Sequence, residues 1–198
     1  MSQESRAIIP NVSGCLPIDV TVSTAAAMRG LGRQLAQVLR PGDLVILSGP
    51  LGAGKTTLTQ GIGEGLGVRG PVTSPTFVIA RVHPPLKGAG LPGAAPALVH
   101  ADAYRLGSAL ELDDLDLDTD TATSVTVVEW GEGLAEGLAE DRLEITIAAA
   151  AAGAFPSGDG SPGEESPDGD SPRTVRISGV GERWQDIELP PADHADRL

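Results

Sequence analysis

One stretch, Gly49-Pro50-Leu51-Gly52-Ala53-Gly54-Lys55-Thr56 followed by Thr57, limits what this chain can fold into. It matches G-x-x-x-x-G-K-[ST], the pattern of a phosphate-binding P-loop. A polyphosphate needs many donors at short range, and side chains would crowd its approach. Glycines at 49, 52 and 54 let the backbone turn and aim successive N–H groups inward. A helix starting there adds its positive end and its unpaired amides. Lys55 is then expected to reach the β- and γ-phosphates, and the Thr56 hydroxyl to ligate Mg²⁺. The candidate nucleotide-binding residues are Gly49, Gly52, Ala53, Gly54, Lys55, Thr56 and Thr57.

The flanking sequence supplies the context such a loop requires. Leu44-Val45-Ile46-Leu47 is an apolar run of buried-strand type, set off by Pro41-Gly42. Thr57 to Ile62 reads as a helix, though a glycine-rich one. Strand, loop and helix in that order predict an α/β fold with a parallel sheet.

Taken in order, residues 1–17 show no periodicity and read as a disordered leader. Ile18 to Val22 alternates as a half-buried strand does. Ser23 or Thr24 can cap a helix with the apolar stripe Ala27, Leu31, Leu35, Val38 and Leu39. After the P-loop helix, Val72-Thr73-Ser74-Pro75-Thr76-Phe77 clusters three hydroxyls about a proline. That is either a switch segment sensing a γ-phosphate or a polar turn leading into a strand from Phe77 to Val82. A proline- and glycine-rich loop separates this strand from the next, Leu98 to Ala101, which ends in Asp102-Ala103-Tyr104-Arg105. Glu111 to Asp120 holds six acids among leucines and reads as a solvated helix. Ser124 to Val128 is a β-prone run ending in Glu129-Trp130, where P-loop proteins place a second Mg²⁺ anchor. Trp130 has two readings, packing near the site or, as an aromatic after a strand more often does, forming plain core.

Glu132 to Glu140 has the spacing of a short amphipathic helix, with Leu134 and Leu138 in register. Arg142 to Ile147 and Thr174 to Ser178 alternate and suit the arms of a hairpin. Between them, Gly153 to Asp170 carries five acids and no base, so it reads as a disordered insertion spanning about 148–172. The domain is expected to run from 18 to 189, with a loose tail at 190–198. Its fold class is a single α/β P-loop domain: a mostly parallel central sheet with an antiparallel hairpin at its edge.

Charge bounds the partners. The net charge is −13 and Lys55 and Lys87 are the only lysines, so the chain lacks the clustered cations that hold nucleic acid. A lone cysteine, Cys15, excludes an internal disulfide and reads as part of a polar tail. With no apolar run of membrane length and no signal segment, the sequence reads as cytoplasmic, without membrane partners.

Four motifs now fall in one order and spacing: Gly49 to Thr57, Val72 to Phe77, His100-Ala101-Asp102-Ala103-Tyr104-Arg105-Leu106, and Val128-Glu129-Trp130. In this the chain resembles the bacterial TsaE (YjeE) family, which serves tRNA threonylcarbamoyladenosine biosynthesis. The leader and the insertion depart from the compact family pattern. The resemblance implies ATP as substrate, hydrolysed with Mg²⁺ held by Thr56 and Glu129. It implies a catalytic or metal-shell role for Asp102 beside Lys55 and Glu129, and a switch formed by Thr73, Ser74 and Thr76. Arg173 resembles a family position near the base. The partners implied are TsaD and TsaB, with tRNA touched only indirectly. Asn11 is the only asparagine, so the N-K-x-D element that reads guanine is absent and ATP is favoured over GTP.

A small-molecule P-loop kinase is the main alternative. Such enzymes use lid cations on the transferring phosphoryl group, and no Lys or Arg occurs from Leu106 through Asp141. Arg69, Arg81 and Arg105 remain as possible acceptor clamps. A nucleotide sensor with little chemistry of its own is the other alternative, distinguished by its turnover with and without partners.

Overall fold

The computed structural model describes residues 14–75, 79–86, 95–105, 123–149 and 171–190. The expected acidic helix from Glu111 to Asp120 lies outside them, as do residues 1–13, Thr76 to Val78, most of the acidic insertion and the tail from 191.

A seven-stranded sheet runs in the order β2-β8-β7-β3-β6-β5-β4. Its strands are β2 (Ile18–Val22), β3 (Leu44–Ser48), β4 (Ala80–His83), β5 (Ala97–Asp102), β6 (Ser124–Glu129), β7 (Arg142–Ala149) and β8 (Arg173–Val180). The four central strands β7, β3, β6 and β5 are parallel, and β8, β2 and β4 join antiparallel. This is the expected fold class. The β7–β8 hairpin forms with Arg142 opposite Val180 and Ala149 opposite Arg173, and β2 closes that edge outside it. β3 lies at the centre because all five of its residues are buried and both its sides are hydrogen-bonded.

Two helices, α1 (Ala25–Ala36) and α2 (Lys55–Leu66), cover one face. Thr24 caps α1, its hydroxyl oxygen accepting from the Ala27 amide at 3.0 Å. Leu31, Leu35, Leu58 and Ile62 pack there on Val45, Leu47, Val125 and Val127. A smaller cluster, with Leu44, Ile46, Val128 and Ala135, occupies the opposite face. The glycines of α2 lower its helix propensity but serve its packing. A Cβ on Gly61 would fall on the Arg29 carbonyl, and one on Gly32 would fall on the Leu58 carbonyl. The two helix backbones therefore touch where only glycine fits.

Three expectations need correction. The helix from Glu132 to Glu140 is replaced by turns and a short 3-10 turn at Glu136–Leu138. Glycines at 131, 133 and 137 withhold helix propensity, and Gly133 turns at φ 79°. The strand placed at Phe77–Val82 begins at Ala80, because Ile79 turns at φ 67°. The leader is ordered at its end: β1 (Gly14–Cys15) pairs with β9 (Glu188–Leu189), so Cys15 belongs to a strand rather than a polar tail. Leu16 and Leu189 pack on the main core and anchor this pair, isolated apolar residues that no periodic pattern reveals.

Arg183 clamps the entry to β3. Its guanidinium donates to both Asp43 carboxylate oxygens, at 3.2 and 3.0 Å, and to the Val38 carbonyl at 2.7 Å. Burial pushes the Asp43 carboxyl up, and Arg183 together with the Arg40 amide opposes that shift.

Gly61→Ala is expected to destabilise the fold. Alanine gains about 1 kcal/mol of helix propensity, but overpacking typically costs about 1–3 kcal/mol, here against backbone that cannot rotate away. Gly137→Ala, where a Cβ meets nothing within 4 Å, is the control. Thermal denaturation should show a lower Tm for Gly61→Ala only; an unchanged or higher Tm contradicts the packing argument.

Candidate functional site

The P-loop joins the carboxyl end of β3 to α2, where an open α/β sheet forms its ligand crevice. Glycines 49, 52 and 54 adopt φ of 141°, 75° and 108°, which side chains disfavour. At Gly49 the need is also steric, since a Cβ would fall on the Ile147 carbonyl of β7. Gly54 caps α2, and Lys55 opens the helix.

Lys55 is nearly buried, with its Nζ donating to the carbonyls of Gly49 at 2.8 Å and Pro50 at 3.0 Å. The Trp130 ring lies over the same ammonium, 3.6 Å from nitrogen to ring centre. Trp130 turns at φ 60° immediately after β6, which swings its ring across the loop, and Tyr104 packs on it with centroids 5.3 Å apart. Burial pushes the Lys55 pKa below the ordinary lysine value of 10.5, while the Glu129 and Asp102 carboxylates pull it back up.

Asp102 and Glu129 end adjacent strands and stand opposite each other in register. Both are buried, each only 3% exposed. The Thr56 hydroxyl donates to Glu129 Oε1 at 2.9 Å, and His100 Nε2 lies 2.8 Å from that same oxygen. Asp102 Oδ1 accepts from the Tyr104 amide at 3.0 Å. A cavity of about 220 Å³ is lined by residues 51–57, Ser74, Asp102, Glu129 and Trp130. The structure thus brings the glycine-rich loop, both carboxylates and the Ser74 side chain to one place. Thr73 is exposed and does not line the cavity, and Thr76 lies outside the described residues. Arg173 stands at the rim, with Nη2 donating to the Gly52 carbonyl at 3.4 Å.

One residue at the site was left open by sequence and another was not singled out for it. Trp130, for which a place near the site and plain core were both open, is only half-buried and lines the cavity. His100 lies inside β5 on the same face as Asp102, two residues on. A polar side chain interrupting the apolar run of that strand was the available signal.

Among the described residues no three His, Cys, Asp or Glu side chains converge as a metal cage. Mg²⁺ at a phosphate site does not require one, since it takes one or two protein oxygens and keeps water and phosphate. The Thr56 hydroxyl and Glu129 carboxylate are hard oxygen donors within 2.9 Å of each other, and they fit such an ion.

The fold and this cavity define the class: a single α/β domain with a mixed, centrally parallel sheet, whose glycine-rich loop and strand-end carboxylates line one cavity. A family model described as "Threonylcarbamoyl adenosine biosynthesis protein TsaE" matches residues 22–154. The chain is 58% identical over 163 residues to the tRNA threonylcarbamoyladenosine biosynthesis protein TsaE of Streptomyces coelicolor, covering 82% of this chain and 97% of that one. It is 34% identical over 157 residues to the TsaE of Bacillus subtilis, covering 79% and 82%. Among solved structures, Bacillus subtilis YdiB matches with a TM-score of 0.57 at 28% identity, over 84% of this chain and 88% of that one. The chain belongs to the TsaE family, which is involved in tRNA threonylcarbamoyladenosine biosynthesis.

Inorganic tripolyphosphate is a probe of the loop that needs no base. Because burial lowers the Lys55 pKa, its positive charge is lost at lower pH than an ordinary lysine's. Calorimetric titration from neutral pH upward should show affinity falling before pH 10.5, and Lys55→Arg should remove that fall. Affinity flat up to that pH would contradict the placement of Lys55.

Proposed function

We propose that this protein is a Mg²⁺-dependent ATP hydrolase acting with the TsaD–TsaB complex in forming N6-threonylcarbamoyladenosine at position 37 of tRNA. The observation that carries this reading is the convergence of Lys55, Thr56, Asp102 and Glu129 on one cavity at the strand ends. In it the P-loop amides and Lys55 hold the phosphates and offset the charge that develops on the transferring group. Thr56 and Glu129 would hold Mg²⁺, which when bound neutralises phosphate oxygens. Asp102 orients the attacking water, and the products are ADP and inorganic phosphate. Ser74, within a switch formed with Thr73 and Thr76, senses whether the γ-phosphate is present. Arg173, at the rim beside Gly52, is suited to contact the nucleotide away from the phosphates.

Among the described residues that line the cavity, Lys55 is the one cation. A supplied arginine finger can contribute about 10³–10⁵ in rate, so a site without one is slow alone and accelerated by its partners. The net charge of −13 assigns tRNA binding to the other subunits. We place the protein in the cytoplasm; among the described residues no helix is long and apolar enough to cross a membrane.

Lys55→Ala should abolish ATP turnover. Thr56→Ala and Glu129→Ala should raise the Mg²⁺ requirement and slow hydrolysis, and Asp102→Ala should impair turnover more than binding. ATPase assays with tRNA alone, TsaD–TsaB alone and both should show stimulation only where TsaD–TsaB is present. Stimulation by tRNA without the proteins, or an Asp102→Ala variant that loses binding and keeps its rate, would overturn this assignment.

A further inference from the structure

His100 has no role in the account so far, yet it is fully buried in β5 and touches the proposed metal-holding carboxylate. A carboxylate oxygen only accepts, so the proton of the 2.8 Å contact lies on His100 Nε2. The other ring nitrogen, Nδ1, is buried with no hydrogen-bond partner among the described residues. An imidazole in that position carries a desolvation cost that an apolar residue among Leu98 and Val127 would avoid. Packing alone therefore does not account for histidine here, whereas the bond to Glu129 does.

The Glu129 carboxylate is tethered through a single oxygen, Oε1, by two donors of unlike character. Thr56 is half-buried, its hydroxyl turns about one bond, and it is itself a proposed cation ligand. His100 is locked inside the sheet and cannot swing away. We infer that His100 is a positioning residue: it fixes the rotamer of Glu129 from below and so presets the carboxylate for a divalent cation. This deepens the Mg²⁺-nucleotide reading above and rests on it. Groups that orient a metal-ligating carboxylate typically change metal affinity about 10–100-fold when removed.

The test uses two polar replacements of different reach. His100→Gln can place its amide nitrogen near the position of Nε2, while His100→Asn is too short to reach Glu129. Mn²⁺ is titrated by electron paramagnetic resonance into the full-length protein saturated with ADP, and ADP affinity is measured separately in EDTA. His100→Asn should weaken Mn²⁺ binding about 10–100-fold with ADP affinity in EDTA unchanged. His100→Gln should keep most of the wild-type Mn²⁺ affinity. In a Glu129→Ala background, His100→Asn should cause no further loss, because its effect passes through that carboxylate. The inference is overturned if Asn and Gln variants lose affinity alike, if Asn binds Mn²⁺ as wild type does, or if its effect adds to Glu129→Ala. It is also overturned if ADP affinity in EDTA falls in parallel, which marks a distorted loop. A wild-type protein that binds neither ADP nor Mn²⁺ with ADP would instead overturn the nucleotide reading, and this inference with it.

Discussion

A loop that presents its backbone to an anion cannot be held by a dense set of its own hydrogen bonds, so its neighbours must hold it. Here β3 does so. Buried at every residue and paired with β6 and β7, it delivers Gly49 against the Ile147 carbonyl of β7. On the other side, α2 fixes where Lys55 and Thr56 begin, and α2 is itself held by backbone contact with α1 at Gly32 and Gly61. The parallel register then carries Glu129 level with Leu47 and Asp102 level with Glu129. The site follows from the sheet's hydrogen-bond ladder.

Charge is concentrated within this small space. One ammonium and two carboxylates are nearly buried around a cavity of about 220 Å³. Their energies depend on each other, as the competing influences on Lys55 show. The Trp130 ring and the carbonyls of Gly49 and Pro50 keep the ammonium aimed along the loop. On the reading proposed above, the loop amides and this one ammonium are what a chain of net charge −13 offers an anion.

The parts of the fold set by local chemistry were legible in the sequence. The P-loop, the Thr24 cap, the run Leu44 to Leu47 and the alternation in β7 and β8 each rest on neighbouring residues. What escaped depends on distant partners. The glycines of α2 read as weak helix, although contact with α1 demands them. Glu132 to Glu140 carried a helical spacing of leucines, but its glycines and its packing over Ile46 and Val128 favoured turns. Gly14–Cys15 read as a tail because its partner strand lies more than 170 residues away. Glu129 was singled out by its place after a strand, and Asp102 by the family resemblance together with its place at a strand end. His100 was not, since it lies within a strand, and Trp130 stayed undecided between site and core because no composition reveals the left-handed turn that carries it there.

The central claim is that a nucleotide's phosphates sit on the amides of the loop between β3 and α2. Hydrogen–deuterium exchange with and without Mg²⁺ and ATP measures those amides directly. The account predicts added protection across residues 52–57, joined by the ends of β5 and β6 at Asp102 and Glu129. Protection confined to other parts of the chain, with residues 52–57 exchanging as before, would contradict it.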